Sequence, residues 1–304
     1  MASIKNHFGI TGAVPFIDVD VDADNRLYID PRAVRLRRSP QRYADQAVRC
    51  ADTFLTTVTD CVFDGSPGAL GRGRELLERF VEPWETRLGM SDEGFHGRGG
   101  ASVVGGWIWE AFVGDLEALV RLGILHQLED LPVFVGGIDK DITSDIATRI
   151  YFEPLGRFTE QMIADYPEFA ADGKEVRTYR KPVWNPDSCE WDEAEFTLPV
   201  VKGEPLLLVP VGWARPTLLM SAGRYYDTVV LSYAQMEQAI LMSDGKVWNA
   251  RKADLRKQRD LQPGRTTSLR VTLRAIASRE DLLRVFKAFV DERYDGGDSS
   301  DQAA

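Results

Sequence analysis

The longest helical pattern in the sequence covers residues 40–63, and it constrains the fold more than any other feature. Its apolar residues recur at spacings of three and four, which places them along one face of a helix. They are Ala44, Ala47, Val48, Ala51, Phe54, Leu55, Val58, Cys61 and Val62. The sequence therefore predicts a long helix whose apolar stripe is continuous and buried.

The other elements occur in blocks. Helical patterns are predicted over 74–84, over 103–121, after residue 139 with a kink or a division at Pro154, and over 224–243, 247–260 and 278–293. Strand-like patterns cover 15–20 and 27–31, which predict an N-terminal hairpin, then 131–138, 175–184, 195–201 and 204–215. Because the elements do not alternate strictly, the prediction is an α+β fold: a helical N-terminal and central part, a small mixed or antiparallel sheet and a helical C-terminus.

The composition changes near residue 170, and this predicts how the chain is divided. Residues 1–170 form a mainly helical part with the N-terminal hairpin. Residues 171–294 form a β-rich and then helical part that is expected to pack with the first as one unit. The polar, acidic residues 295–304 predict a disordered tail.

Charge and cysteine content narrow the function classes. The 304 residues carry 37 basic and 47 acidic side chains, a net charge of −10, which argues against a broad polyanion binder but leaves a local basic groove open. Three scattered Cys and three dispersed His disfavour a disulfide framework and a zinc site. The N-terminus lacks a signal-peptide pattern and no apolar run is long enough to cross a bilayer, so we expect a cytoplasmic protein without a membrane partner.

Two clusters of basic residues stand out against this acidic background. The first contains Arg32, Arg35, Arg37, Arg38 and Arg42, and the second contains Arg251, Lys252, Arg256, Lys257 and Arg259. We interpret both as solvated faces in preference to nucleic-acid contacts, given the acidic balance of the chain.

The strongest candidate site is the stretch GGIDKDITSDIATRI at 136–150. Asp141 and Asp145 lie four residues apart at the predicted start of a helix, so both carboxylates could reach one cation, and Asp139 could be a third ligand. Carboxylates suit Mg²⁺ or Mn²⁺, which could activate water or polarise a phosphate. The alternative is that Thr143 or Ser144 caps the helix and the acidic residues complement its dipole.

A second candidate is the glycine-rich stretch HGRGGASVVGG at 96–106, which precedes a predicted helix. Its backbone N–H groups could converge on an anion at the helix N-terminus, and Arg98 would add positive charge. Gly97, Arg98, Gly99 and the later Ser144 are therefore the predicted substrate-binding residues. The alternative is a loop that only allows close helix packing. Asp30, which precedes Pro31, is a turn former that could also line a site at a strand end.

Four short motifs carry a resemblance to a known group of proteins. They are LYIDP at 27–31, GRGG at 97–100, SDIATRI at 144–150 and LLLVP at 206–210, in this order along most of the chain. The sequence resembles an uncharacterised family of bacterial proteins that is associated with phage-defence or mobile-element neighbourhoods. This resemblance implies an antiviral-defence context but no activity, and it gives Asp145 priority as a residue to test.

Two function hypotheses follow. The first is a metal-assisted hydrolase of the nuclease or phosphohydrolase type, in which Asp141, Asp145 and Asp30 are catalytic and Asp139, Asp141 and Asp145 hold the metal. The second is a non-catalytic subunit that docks on proteins encoded nearby. A nucleic-acid partner is a third hypothesis, which the net charge does not support.

Overall fold

The computed structural model of the chain describes residues 2–23, 25–79, 83–89, 101–171 and 173–294. Its helices are α1 Ile4–Phe8, α2 Pro31–Arg37, α3 Gln41–Asp64, α4 Pro67–Glu78, α5 Ala101–Val113, α6 Glu117–Arg121, α7 Leu131–Phe134, α8 Lys140–Ile150, α9 Phe152–Asp165, α10 Ala222–Tyr225, α11 Leu231–Glu237, α12 Lys252–Leu255, α13 Arg265–Ala277 and α14 Leu282–Asp291. Single turns of 3-10 helix cover Trp84–Thr86, Leu128–Asp130 and Pro167–Ala170, and a π-helical turn covers Tyr226–Val230.

The strands are β1 Tyr28–Ile29, β2 Glu175–Asn185, β3 Glu190–Val201, β4 Glu204–Pro205, β5 Ala214–Arg215, β6 Ile240–Leu241 and β7 Val247–Trp248. They form three small antiparallel sheets, in the orders β1-β5, β2-β3-β4 and β6-β7. The predicted α+β class is confirmed.

The helix predicted over 40–63 is α3, and it is the central helix of the fold. Its stripe from Ala44 to Val62 is buried as predicted, with the exception of the partly buried Val48. Helices α2, α4, α5, α6, α8 and α9 pack around it, together with β2. The apolar stripe thus organises the core because it needs cover along its whole length.

Strands β2 and β3 form a long hairpin that packs against α9. Their ladder runs from the pair Glu175–Val200 to the pair Asn185–Glu190. On α9, Gly156 lies against the ring of Phe196, and a β-carbon there would collide with that ring. The absence of a side chain at residue 156 therefore lets the hairpin approach the helix closely.

The prediction of an N-terminal hairpin is wrong. Strand β1 pairs with β5, through Tyr28–Arg215 and Ile29–Ala214, whereas Phe16 pairs with Pro210. An isolated two-stranded hairpin is marginal in water, and both segments gain by pairing with the buried chain that follows residue 205.

Five other element predictions need correction. The helix predicted over 224–243 ends at Glu237 and is followed by β6, and the strand predicted over 204–215 forms only at its two ends, as β4 and β5. The remaining three are as follows. The apolar run 131–138 is not a strand, because Leu131–Phe134 is helical. The helix predicted over 103–121 is two helices, α5 and α6, and the helix predicted over 247–260 is β7 followed by α12. Short apolar runs carry no period that separates strand from helix, which explains the error over 131–138.

Pro154 does divide a helical stretch: α8 ends at Ile150 and α9 begins at Phe152. Pro154 thus lies in the first turn of α9, where a helix needs no backbone N–H donor.

The two predicted parts of the chain share one apolar core. A single cluster of buried residues extends from Ile4 to Val290 and includes side chains of α3, α9, β3 and α13. The predicted tail, 295–304, lies outside the described residues. None of the helices in the described ranges combines the length and the apolar character that a membrane span requires.

Candidate functional site

Asp139 is the N-cap of α8. Its backbone is extended, and its Oδ1 accepts hydrogen bonds from the N–H groups of Asp141 at 3.1 Å and Ile142 at 3.2 Å. Its carbonyl accepts the Thr143 hydroxyl at 2.5 Å. Asp139, and neither Thr143 nor Ser144, therefore caps the helix, and its carboxylate is used by the backbone amides that a helix start leaves unpaired.

Asp141 and Asp145 lie one turn apart on α8, as the spacing predicts, and both are half-buried. Asp141 lies against Gly89, whose φ is +63°, and a β-carbon on that glycine would collide with the carboxylate. Asp145 lies close enough to Arg149 to act on its pKa: burial lowers that pKa, and Asp145 opposes the shift. Each of the two aspartates thus faces groups of the protein itself.

The three aspartates are not grouped as a three-carboxylate metal site. Within the described ranges, no group of three or more His, Cys, Asp or Glu side chains is arranged to hold a metal ion. Asp139 is exposed and directed at backbone amides, whereas Asp141 and Asp145 are on the following turns and half-buried. The prediction of a three-carboxylate site for Mg²⁺ or Mn²⁺ is therefore not supported by the geometry.

Asp30 and Ser144 come together although 114 positions separate them in the sequence. Ser144 Oγ accepts the N–H of Ile29 at 2.9 Å, and Asp30 follows directly. Asp30 caps α2 through Oδ1, which accepts the N–H groups of Arg32 and Ala33, while Oδ2 accepts the N–H of Leu219 at 2.7 Å. Both side chains are buried, and their oxygens accept hydrogen bonds from backbone N–H groups. They therefore position β1 between α8 and the 217–221 segment.

The carboxyl group of Asp30 has a strongly perturbed pKa. Burial raises this pKa to about 6, although three backbone N–H groups and Arg215 act to lower the pKa. A perturbed acid in a cleft is a candidate catalytic group. Here the side chain is 1% exposed and both oxygens accept backbone hydrogen bonds, so the shift comes from its structural position.

Gly97, Arg98 and Gly99 lie outside the described residues, so their predicted role in substrate binding stays a prediction. The same glycine-rich stretch ends inside α5, where Gly105 lies against the backbone of Leu77 in α4. A side chain at residue 105 would collide with that carbonyl. This contact agrees with the alternative interpretation, close helix packing.

A cavity of about 330 Å³ lies at the N-terminus of α8. Its charged lining residues are Asp139, Lys140 and Arg265. Each is engaged with the protein: Lys140 Nζ lies 4.3 Å from the ring centroid of Tyr28, and Arg265 donates to the carbonyls of Pro132 and Ile138. The cavity has the size of a small ligand site, at the lower end of the usual range.

Sequence reasoning missed a cluster of buried charges, which we name the Glu129 cluster: Arg32, Arg35, Glu129, Asp130 and Lys287. Arg35 Nε lies 2.7 Å and Arg32 Nη1 3.3 Å from Glu129 Oε1, and Lys287 Nζ lies 2.8 Å from Asp130 Oδ1. Burial acts to raise the pKa of Glu129, but Arg35, Lys287 and a backbone hydrogen bond together outweigh it and the pKa is lowered. Burial raises the pKa of Asp130, and the neighbouring Glu129 adds to this shift.

The Glu129 cluster ties α2 to α14 and to the turn before α7. It also corrects the interpretation of the first basic cluster as a solvated face for two of its residues, because Arg32 is 6% exposed and Arg35 is mostly buried. Arg38 and Arg42 are exposed, as that interpretation predicts. The signal in the sequence was the pair Glu129–Asp130 inside an apolar segment, since adjacent acids there need cationic partners.

A second missed cluster surrounds the turn Trp84–Thr86. Glu85 is 1% exposed and its Oε1 accepts from Lys181 Nζ at 2.7 Å, while Arg87 donates to the carbonyl of Trp84 at 3.0 Å. Burial lowers the pKa of Arg87, opposed by Glu204 and Glu85. The cluster fixes the segment 84–89 against β2, and its members are paired with the protein.

The most unusual surface is a hairpin that we name the arm, residues 239–249. All eleven residues are exposed, and its strands pair through Ile240–Trp248 and Leu241–Val247. Paired residues lie on the same face and successive residues on opposite faces. The exposed fractions of Ile240, Trp248, Leu241 and Val247 are 54%, 52%, 73% and 59%. Both faces of the arm are therefore apolar and open to solvent.

Comparisons with known proteins place the chain in a family without assigning an activity. A family described as "Domain of unknown function (DUF8370)" matches residues 10–221. The chain belongs to this family. No curated protein and no solved structure matches it. The matched residues include α2 to α9 and the Glu129–Asp130 pair, and they end before the arm.

Proposed function

We propose that this protein is a non-catalytic binding subunit that docks onto another polypeptide chain through the arm. The observation that carries the proposal is that eleven consecutive residues are exposed while five of them are large and apolar: Ile240, Leu241, Met242, Val247 and Trp248. A contiguous apolar surface of this kind is typical of an interaction site, whereas single exposed apolar residues are ordinary.

The arrangement of the arm suits a protein partner. Among the described residues its two short strands pair only with each other, so their outer edges can accept a further strand, and its faces offer Leu241 and Trp248 as anchors. Its turn is polar, with exposed Asp244 and Lys246. The proposal includes a cytoplasmic location, which the three free cysteines support because disulfides are rare in that compartment.

Co-expression with the products of the adjacent genes tests this function. We expect the wild type to elute from a sizing column in an assembly, and Leu241→Ser to elute as a monomer. Phe63→Ser is the matched control, because Phe63 is 65% exposed as a single apolar side chain and Leu241 is 73% exposed. A wild type that stays monomeric, or an assembly that survives Leu241→Ser, would overturn the proposal.

A metal-assisted hydrolase in a defence context is the second proposal. What supports it is the placement of Asp141 and Asp145, one turn apart and half-buried on α8. It predicts Mn²⁺-dependent cleavage of a generic phosphodiester that Asp141→Asn and Asp145→Asn abolish without a loss of thermal stability. Equal turnover by the two variants and the wild type would end this proposal.

A further inference from the structure

We propose that the cavity beside the start of α8 binds a small organic acid, namely a monocarboxylate with an apolar body. We name this space the α8 cavity. It has a volume of about 330 Å³, and residues of the segments 132–140 and 217–223 line it together with Arg265 at the start of α13. A cavity of this size accommodates a small ligand. The inference is independent of the docking function, because the arm contributes none of these lining residues.

The wall of the α8 cavity is mostly apolar. Pro132, Ile138 and Leu218 line it and are themselves buried, so they form a fixed surface. Thr217 and Ser221 add hydroxyl groups beside them. An apolar ligand body that covers this wall leaves water on binding, which is favourable in proportion to the area covered. The wall therefore selects an organic ligand over a bare inorganic ion.

Arg265 supplies the charge that recognises the acid. Its Nη2 donates to the carbonyls of Pro132 at 3.2 Å and Ile138 at 2.8 Å, and these bonds hold the half-buried guanidinium at the cavity. Within the described ranges only Nη2 of this side chain is hydrogen-bonded, and no carboxylate forms an ion pair with it. The arginines of the Glu129 cluster, by contrast, share a buried carboxylate. Carbonyl groups orient Arg265 without neutralising it, so its Nη1 is left to donate to an anionic ligand.

Burial agrees with this description of Arg265. It lowers the pKa of the guanidinium, and Asp139 is near enough to oppose the shift. Arginine nevertheless keeps its proton in proteins, so the group stays charged in a partly desolvated position. A ligand carboxylate would provide the counter-ion, and the planar guanidinium matches its geometry.

The charges of the lining select a monoanion. Lys140 and Arg265 are positive and Asp139 is negative, so the lining has an excess of one positive charge. Lys140 Nζ lies over the ring of Tyr28, which leaves its charge in place, and Oδ1 of Asp139 is bound to backbone N–H groups of α8. One carboxylate neutralises the excess. A phosphate dianion would exceed it, and a cationic ligand would be repelled by it.

Isothermal titration calorimetry of the full-length protein with hexanoate tests the inference. We expect saturable binding, which Arg265→Gln weakens about tenfold or more because a hydrogen bond between charged groups is lost. Lys140→Gln should weaken it by a smaller factor, and it tests the site even if Arg265→Gln does not fold, because Lys140 is exposed. The matched control is Arg270→Gln, on the same helix. Arg270 donates to the carbonyl of Asp260 and lies outside the lining, so this variant should bind like wild type.

Two comparisons test the chemistry of the ligand. Hexanamide has the same apolar body without the charge, so it should bind about tenfold more weakly, and inorganic phosphate should not displace hexanoate. Asp139→Asn keeps a residue that caps helices and removes a negative charge, so it should tighten hexanoate binding about threefold. A site for a metal ion or another cation would instead lose affinity in Asp139→Asn.

Three results would overturn the inference. The first is wild type that shows no saturable binding of hexanoate. The second is equal binding of hexanoate and hexanamide, which would mean that no cation recognises the acid. The third is hexanoate binding that is unchanged in both Arg265→Gln and Lys140→Gln, or weakened equally by Arg270→Gln, which would place the bound acid outside the α8 cavity.

Discussion

In the Glu129 cluster five ionisable side chains lie in or at the edge of the interior, whereas in the arm five large apolar side chains lie in solvent. Both regions reverse the usual distribution of residues in a globular protein. The interior charges have partners within the chain: Glu129 has Arg32 and Arg35, and Asp130 has Lys287. The apolar side chains of the arm are not covered in the same way.

The difference separates structural from functional exceptions. A buried charge that is paired and hydrogen-bonded has been compensated by the fold, so it gives no reason to look for a ligand. The apolar hairpin has two open faces that the described part of the chain does not cover, and this exposure supports the proposal that another molecule covers them. We therefore propose the arm, in preference to the aspartates of α8, as the functional surface.

The largest effect is expected in the Glu129 cluster. Glu129→Ala removes the buried carboxylate that Arg32 and Arg35 share and leaves them only the part-exposed Asp291 and Asp52. It should lower the free energy of unfolding by about 3 kcal/mol in a denaturant titration. The control is Glu193→Ala, because the pair Arg180–Glu193 is largely exposed and its loss should cost about 1 kcal/mol or less. Equal losses in the two variants would show that the cluster is not buried as described.

The second-largest loss of stability is expected for a substitution at Asp30, and this loss should depend on pH. Asp30→Ala removes the acceptor of three backbone N–H groups and should cost about 2–4 kcal/mol at low pH. Because burial raises the folded pKa of Asp30 to about 6, its contribution is fully present below the unfolded value near 3.9 and is lost as the pH rises through about 6.

Urea titrations of wild type and Asp30→Ala at pH 4 and pH 7 measure this difference. The difference in free energy of unfolding between wild type and Asp30→Ala should be smaller at pH 7 than at pH 4, by on the order of 1–3 kcal/mol. A difference that is larger at pH 7 than at pH 4 would mean that the fold stabilises the charged form of Asp30, which would contradict the effect expected from its burial.

A smaller effect separates capping from metal binding at Asp139. Asp139→Ala should cost about 1 kcal/mol, since the N–H groups of Asp141 and Ile142 lose their acceptor. The matched control is Ser66→Ala, which removes the N-cap of α4. Both variants should lose the same stability with and without Mn²⁺ in thermal unfolding. A loss at Asp139 that appears only when Mn²⁺ is present would favour a metal ligand.

Much of the fold could be predicted because its signals are local. The stripe of α3, the strands β2 and β3 and the break at Pro154 all follow from periodicity and from the properties of proline. The pairing of β1 with β5 could not be predicted in this way, because it joins segments 185 residues apart and depends on which buried chain is available. The arm was missed because its strands have two residues each, too few to show alternation.

The candidate site was only partly predictable, because the partners of its aspartates are set by tertiary contacts. The spacing of Asp141 and Asp145 correctly placed them one turn apart, but spacing does not show what else each carboxylate meets. The partners of Asp30 and Asp139 are backbone N–H groups, one of them supplied by Leu219 from a remote segment. A cluster of acids in a sequence therefore cannot be distinguished from a set of caps until the tertiary contacts are known.

The measurement that tests the central claim most directly compares Leu241→Ser with Phe63→Ser in two assays: unfolding of the purified variants in denaturant, and size-exclusion chromatography after co-expression with the products of the adjacent genes. Because both side chains are exposed, each substitution should change the free energy of unfolding by about 0.5 kcal/mol or less. We predict that Leu241→Ser abolishes association, whereas Phe63→Ser associates like wild type. Equal association of the two variants, or a large loss of stability in Leu241→Ser, would contradict the assignment of the arm as the docking surface.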